Sequence, residues 1–261
     1  MVRYQLEPSL ATYSRISMLY LLSVLLAVAP APAMSSPADS SDISLDRAPS
    51  PDAIRADTSC SAIAPGLQRR APDTIAAASN LHTAAPAPTG TGPVHAVVEI
   101  PAGTADKWEV AEDGRALAIE RQDGQRRRID YLPYPANYGF LPRTRLATDD
   151  GGDGDPVDIV VLGPAAPCGA VVEARIVGAL RLLDDGEQDD KMLAVRPGAP
   201  LGDVHGLDEL RDRYPGVLDI LETWFVHYEG PGNRSRGFVD AEAARLIVTK
   251  AARPASATDE R

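Results

Sequence analysis

Aromatic side chains are scarce in this chain of 261 residues, where tryptophan, tyrosine and phenylalanine together make up 5% of the sequence. Because 44% of the residues are hydrophobic, we expect a substantial core that is mostly aliphatic. Basic residues are also few, since 26 lysines and arginines stand against 37 aspartates and glutamates, for a net charge of -11. A surface that binds nucleic acid needs clustered lysine and arginine, so this balance argues against a nucleic-acid partner.

Cysteine occurs only twice, at Cys60 and Cys168. Two cysteines cannot form a disulfide framework, and their spacing is not that of metal ligands. Cys60 falls in a stretch with the composition of a linker, and Cys168 falls in a turn-like run. We expect two unpaired thiols. A disulfide between the linker and the folded part is the alternative, which export to an oxidising compartment would permit.

The N-terminal part has two compositions, neither of them typical of a packed domain. Arg3 and Arg15 precede the largely apolar run 18–29, and small residues and prolines follow it, which is typical of a secretory signal peptide. We therefore expect a signal peptide over residues 1–34, and a periplasmic or secreted protein without stable membrane association after its removal. A cytoplasmic protein is the alternative if the start site is misassigned. Residues 35–93 are rich in alanine, proline, serine and threonine, which predicts a disordered linker.

Residues 94–252 have the pattern of a folded domain, and 253–261 that of a flexible tail. Short strand-like runs separated by glycine, proline and aspartate favour a small closed sheet. The expected strands are 94–100, 107–110, 116–121, 157–162, 192–195 and two runs within 171–183. Helical spacing of apolar residues is found only late, in 207–214, 217–225 and 240–250. The predicted fold class is α+β and mainly β.

The acidic run 152–158 is the most informative stretch of the chain. It places Asp153, Asp155 and Asp158 close together, beside glycines that permit sharp turns. Carboxylates packed this closely repel one another, and hard divalent cations bound through oxygen are the usual solution. A solvated acidic turn is the alternative. An EF-hand is poorly supported, because no helices flank the run and no closing glutamate is present.

A second acidic run, 184–190, ends at Lys191, and on its own it is typical of a hairpin tip. Two oxygen-rich clusters and a lysine together suggest several metal ions that hold a phosphate. Tyrosine hydroxyls could donate to the same anion. Further polar groups that could join such a site are Glu99, Lys107, Glu109, Tyr134 and Tyr138.

In this order and spacing, the segments resemble the soluble family I inorganic pyrophosphatases. The matching segments are 99–102, 107–109, 134–139, 153–158 and 184–191. The resemblance spans about residues 94–250. It implies an OB-like, five-stranded closed β-barrel with flanking α-helices. It also implies a homo-oligomer that hydrolyses pyrophosphate to two phosphates through a metal-activated water, with three to four Mg²⁺ ions.

The resemblance also implies a role for each matching residue. Asp155 would orient or deprotonate the attacking water, and Tyr134 would support the acidic loop. The implied metal ligands are Asp153, Asp158, Asp184 and Asp189, with Glu99 and Glu109 acting mainly through bound water. The implied phosphate contacts are Lys107, Arg121, Tyr138, Lys191 and Tyr228, and the implied catalytic set is Asp155, Tyr138, Lys107 and Arg121.

One position departs from the family. A lysine usually follows the tyrosine that matches Tyr228, whereas this chain has Glu229, which would repel the leaving phosphate. We expect Arg234 or Arg236 to supply the missing positive charge. The alternatives are an exported phosphoanhydride hydrolase with another substrate preference, or a catalytically weak descendant that binds metal or phosphate.

Overall fold

The computed structural model describes residues 60–147, 152 and 154–253. All of these belong to one compact unit, Pro49–Arg261. The predicted signal peptide, Asp153 and the tail from residue 254 onward lie outside the described residues. No helix in the described ranges is long and apolar enough to cross a membrane.

The described part of the chain is mainly β, with few helices. Its strands are β1 (Leu67–Ala71), β2 (Thr74–Ala77), β3 (Val94–Ile100), β4 (Trp108–Val110), β5 (Ala116–Ile119), β6 (Arg121–Gln122), β7 (Gln125–Arg126), β8 (Asn137–Phe140), β9 (Asp158–Leu162), β10 (Val171–Asp184), β11 (Glu187–Gln188), β12 (Lys191–Val195) and β13 (Arg234–Asp240). Its helices are a 3-10 turn at Leu81–Thr83, α1 (Leu207–Arg213), α2 (Val217–His227) and α3 (Ala241–Ala251).

Most of the expected strands and all three late helices are confirmed. At the start of α3, the Ala243 N–H donates to the Asp240 carboxylate at 2.9 Å, which caps the helix. The two runs expected within 171–183 are instead one strand, β10. Register shifts between Ile176 and Gly178 and between Leu180 and Leu182 allow this strand to bend and change partners.

Five strands of the larger sheet close into a ring. The order is β11-β10-β12-β9-β8-β3, and β3 pairs with β10 as well, so β3, β8, β9, β12 and β10 follow one another around it. Within this ring only β9 and β12 run parallel, with Met192 opposite Ile159. Asp158 and Lys191, which begin those two strands, therefore lie side by side at one end of the ring.

Apolar residues cover both faces of these strands. One cluster contains Val160 and Leu193 together with Trp224 and Phe225 of α2. The other contains the neighbouring residues of the same strands and is covered by α3. Consecutive strand residues point to opposite faces, so a run of apolar residues can be buried on both sides. The core is mostly aliphatic, as expected.

Residues 60–93 are ordered, so the prediction of a disordered linker is wrong for this part of 35–93. β1 and β2 form a hairpin, and β2 pairs with β5 to give a second sheet in the order β1-β2-β5-β4. Ile75 and Leu81 are buried in the core. The composition of the whole stretch concealed the few apolar residues that complete this sheet. We call residues 60–93 the N-terminal extension.

A disulfide between Cys60 and Cys168 fixes the extension to the rest of the fold. Their Cα atoms lie 5.5 Å apart, a usual separation for a disulfide. Next to it, the Ala64 N–H donates to the Cys168 carbonyl and the Cys168 N–H to the Ala62 carbonyl, both at 2.9 Å. Our expectation of two unpaired thiols is wrong because Cys60 belongs to the folded part rather than to a linker.

Replacing both cysteines by serine (C60S/C168S) should lower the free energy of unfolding by about 2–4 kcal/mol. The bridge spans a sequence separation of 108 residues, so its loss frees a long loop in the unfolded chain. Thermal unfolding of the full chain measures the effect. The wild type in dithiothreitol should melt at the lowered temperature of the variant, and unchanged melting in both cases would contradict the prediction.

Candidate active site

A cleft of about 1220 Å³ opens at the end of the ring where β9 and β12 begin. Its carboxylates are Glu99, Glu109, Glu112, Asp155, Asp158, Asp184, Glu187, Asp189 and Glu229. Its lysines and arginines are Lys107, Arg143, Arg145, Lys191 and Arg253. The negative groups outnumber the positive ones, so an anionic ligand could bind only if further cations reversed the local field.

Lys191 lies at the centre of this acidic end. Its buried ammonium nitrogen is 2.6 Å from Oδ2 of Asp158 and 2.5 Å from Oδ1 of Asp189. It also donates to the Tyr138 hydroxyl at 3.4 Å. The parallel pairing of β9 with β12 places Asp158 beside Lys191, and Asp189 precedes Lys191 by two residues.

The charges of this cluster control one another. Burial disfavours the charged form of Lys191, but Asp158 and Asp189 outweigh burial and raise the pKa of the ammonium above its ordinary value. For Asp158, burial raises the pKa, Lys191 opposes that change and Asp189 adds to it. One cation is therefore shared by two carboxylates, and the cluster keeps an excess of negative charge.

Tyrosine hydroxyls line the cleft beside these carboxylates. Burial, with help from nearby carboxylates, raises the pKa of both Tyr138 and Tyr228, so their hydroxyls stay protonated and able to donate. Tyr134 is buried behind them, with its ring centroid 5.3 Å from Tyr138 and 4.5 Å from Trp224. The Trp224 ring stacks on Tyr228 at 4.3 Å. The aromatic group thus holds both hydroxyls in position.

Glu99 is the most deeply buried carboxylate of the cleft. The Val110 N–H donates to its Oε1 at 2.7 Å. Burial raises the pKa of Glu99 to about 8, and the charges of Asp158 and Glu109 act in the same direction, while the Val110 hydrogen bond opposes the change. A cation in the cleft would favour the ionised form of this group.

A row of alternating charges crosses from β4 to the end of α2. Nζ of Lys107 is 3.0 Å from Oε1 of Glu109 and 3.0 Å from Oε2 of Glu120. The Arg127 guanidinium donates to both Glu120 oxygens, at 2.9 and 2.7 Å, and also pairs with Glu229. The positive charge beside Glu229 therefore comes from Arg127 and not from Arg234 or Arg236.

Three arginines that the sequence analysis places at the site do not line the cleft. Arg234 and Arg236 lie on β13, and neither lines the cleft. Neither Arg121 nor Arg127 is among the lining residues, but Arg127 pairs with the lining residue Glu229, whereas the β6–β7 hairpin turns Arg121 towards Asp73, with which it pairs at 2.7 Å. Arg126 lies on β7 and Arg127 follows it directly, so the run of arginines 126–128 was the sequence signal for Arg127.

The remaining acidic residues fit a site for hard divalent cations. Asp155, exposed, and Asp184 both line the cleft with Asp158 and Asp189, and Asp153 lies outside the described residues. Within the described ranges, no three His, Cys, Asp or Glu side chains come close enough to hold an ion by themselves. The donors are all carboxylate oxygens, which is the chemistry that Mg²⁺ prefers.

The family model described as inorganic pyrophosphatase matches residues 96–255. The chain belongs to this family. The whole N-terminal extension, including the β1–β2 hairpin and Cys60, precedes the matched residues.

Named relatives agree with this assignment. The inorganic pyrophosphatase of Gluconobacter oxydans is 38% identical over 161 residues, which cover 59% of this chain and 87% of that protein. Soluble inorganic pyrophosphatase 1, chloroplastic, of Chlamydomonas reinhardtii is 33% identical over 156 residues, which cover 56% of this chain. This chain spans only about half the length of that relative, 55%.

Solved pyrophosphatase structures share the fold. The type I inorganic pyrophosphatase from Toxoplasma gondii superposes with a TM-score of 0.63 at 27% identity, over 68% of this chain and 90% of that chain. The inorganic pyrophosphatase from Thermus thermophilus superposes with a TM-score of 0.56 at 28% identity, over 66% of this chain and 97% of that chain.

The raised pKa of Glu99 predicts how the metal-free protein responds to pH. The folded state holds this proton more tightly than the unfolded state, so stability present at low pH is lost as the pH rises from 4.5 to about 8. Glu99→Gln cannot ionise. In chelator, at pH values near and above 8, we expect the variant to melt at a higher temperature than the wild type. Its free energy of unfolding should be larger by an amount on the order of a few kcal/mol.

The same melting curves at a pH of about 4 should differ little between Glu99→Gln and the wild type, since Glu99 is then neutral in both states. Glu112→Gln is the matched control, because Glu112 is an exposed glutamate of the same cleft. If the melting temperatures of Glu99→Gln and the wild type change with pH in parallel, ionisation of Glu99 does not cause the loss of stability.

Proposed function

We propose that this protein hydrolyses inorganic pyrophosphate to two phosphates, as a Mg²⁺-dependent inorganic diphosphatase. The observation that carries the proposal is the Asp158–Lys191–Asp189 cluster, in a cleft where carboxylates outnumber cations. Family membership supports it, because the cluster lies within the matched residues. Such a cleft is suited to an anion that arrives with divalent cations, and unsuited to nucleic acid.

Three aspartates of the cleft would hold Mg²⁺ directly, together with Asp153. These three are Asp158, Asp184 and Asp189, with Glu99 and Glu109 acting through bound water. We propose three to four ions, as the family resemblance implies. When bound, Mg²⁺ supplies positive charge for the phosphate oxygens and lowers the pKa of a coordinated water.

The protein's own residues then have separate tasks in the reaction. An attacking water adds to one phosphorus and the bridging P–O bond breaks, while Asp155 takes the proton of that water. The protonated hydroxyls of Tyr138 and Tyr228 donate to phosphate oxygens. Lys191, Lys107 and Arg127 stabilise the negative charge that develops on the leaving phosphate. We assign Arg127 the role expected of Arg121, because Arg127 pairs with Glu229 of the cleft whereas Arg121 pairs with Asp73 outside it.

The pairing of Glu229 with Arg127 bears on the alternative of a catalytically weak descendant. Glu229 was the one residue that favoured this alternative, because its charge would repel phosphate. With the Arg127 guanidinium against it, that charge is offset. We therefore prefer the active enzyme.

We further propose that the five-stranded ring is the OB-like barrel that the resemblance implies, and that the protein is a homo-oligomer. We also propose a periplasmic or secreted location. The signal-like residues 1–34 support this location, and so does the Cys60–Cys168 disulfide, because disulfides persist mainly in oxidising compartments.

Phosphate release from pyrophosphate by the purified full chain, with and without Mg²⁺, tests the proposed activity. We expect release in Mg²⁺ and background rates in chelator. Asp155→Asn should keep the wild-type melting temperature and lose on the order of 100-fold or more in kcat, the usual contribution of a general base. Wild-type protein that is folded but releases phosphate no faster than background would refute the proposal.

Two arginine variants in the same assay test the assigned roles. Arg127→Gln should lower kcat/KM for pyrophosphate by about tenfold or more, because it removes a cation and leaves Glu120 and Glu229 unpaired. Arg121→Gln is the matched control and should stay within about twofold of the wild type. The opposite pattern would return the role to Arg121.

A further inference from the structure

The cleft has room beyond its acidic end. Its volume of about 1220 Å³ exceeds the roughly 300–1,000 Å³ of pockets that take drug-sized ligands, and pyrophosphate is far smaller than such a ligand. The proposed mechanism also leaves three lining arginines without a task. They are Arg143, Arg145 and Arg253.

These three arginines lie on two chain segments that pair with each other. The Arg145 N–H donates to the Ala251 carbonyl at 2.8 Å, and the Arg253 N–H to the Arg143 carbonyl at 2.7 Å. Thr144 and Ala252 form an antiparallel bridge between them. This pairing brings all three arginines to the same cleft. We call these three residues the basic end.

The basic end adjoins the acidic loop. The Leu146 N–H donates to the backbone carbonyl of Asp155 at 2.8 Å, so Arg145 directly precedes the residue that is bonded to the backbone of the proposed catalytic aspartate. Arg253 is held in place, because its guanidinium donates to the Ala252 carbonyl at 3.0 Å and to the Arg145 carbonyl at 3.3 Å. Arg145 itself is exposed, so a ligand in the cleft can reach it.

We propose that the basic end is a second anion subsite, and that the cleft takes a linear triphosphate unit. Its terminal phosphoanhydride bond lies at the acidic end, and the third phosphate contacts Arg143 and Arg145. A longer phosphate chain adds negative charge to a cleft already rich in carboxylates, so it needs cations along its length. Guanidinium groups match phosphate oxygens with paired hydrogen bonds.

The inference rests on the proposed function, because the same acidic end cleaves the bond. A water oxygen adds to the terminal phosphorus, the terminal bridging P–O bond breaks, and Asp155 takes the proton of the water. One phosphate leaves first. From inorganic tripolyphosphate the remaining product is pyrophosphate, which the same site then hydrolyses.

Steady-state kinetics of the full chain in Mg²⁺ test the inference, with pyrophosphate, inorganic tripolyphosphate and ATP as substrates. We expect the wild type to cleave tripolyphosphate. Arg145→Gln should raise the KM for tripolyphosphate by about tenfold, the effect of one lost charge-assisted contact, and should leave kcat/KM for pyrophosphate within about twofold. Arg145→Glu should deepen the loss for tripolyphosphate.

Arg211→Gln is the matched control, because Arg211 is an exposed arginine on α1 outside the cleft, paired with Asp208. Arg211→Gln should leave kcat and KM unchanged for both pyrophosphate and tripolyphosphate. If ATP is cleaved with the same dependence on Arg145, a triphosphate subsite is also supported. The ratio of kcat/KM for ATP and for tripolyphosphate then shows which of the two compounds the subsite favours.

Two results would overturn the subsite. One is hydrolysis of pyrophosphate with no cleavage of tripolyphosphate or ATP. The other is an equal effect of Arg145→Gln on pyrophosphate and tripolyphosphate, since Arg145 would then act at the shared acidic end. Folded wild-type protein that cleaves none of the three compounds would refute the proposed function instead.

Discussion

The mutual repulsion of the carboxylates in one cleft is the constraint on which the rest of the structure depends. Lysine and arginine side chains of the protein offset part of this repulsion. Lys191 is buried between Asp158 and Asp189, and Arg127 lies between Glu120 and Glu229. The excess of negative charge that remains destabilises the metal-free folded protein. The same excess is the reason that divalent cations and an anionic substrate can bind together.

A rigid frame keeps these charges at close distances. The five-stranded ring places Asp158 beside Lys191 through one parallel pairing, and the second sheet carries Glu109 on β4. The N-terminal extension supports that second sheet, because β2 pairs with β5 and the disulfide fixes Cys60 to Cys168. His82 of the extension also lines the cleft, so a segment that precedes the family match forms part of its wall.

Local spacing was enough to predict the acidic groups, and long-range geometry was needed for the rest. Asp155 and Asp158 lie in one short run, and Asp189 and Lys191 in another, so the sequence alone could group them. Arg127 was missed because its partner Glu229 lies 102 residues away in the sequence. The disulfide was missed for a related reason: only the pairing of β2 with β5 shows that the region after Cys60 folds.

Thermal unfolding of the metal-free full chain in increasing Mg²⁺ tests most directly the claim that these carboxylates need divalent cations. The wild type should melt at progressively higher temperature as Mg²⁺ is added, because ligand that binds only the folded state stabilises it. Asp158→Asn should show a smaller rise, and NaCl at matched ionic strength should not reproduce the wild-type rise. A wild-type melting temperature that Mg²⁺ leaves unchanged would contradict the account.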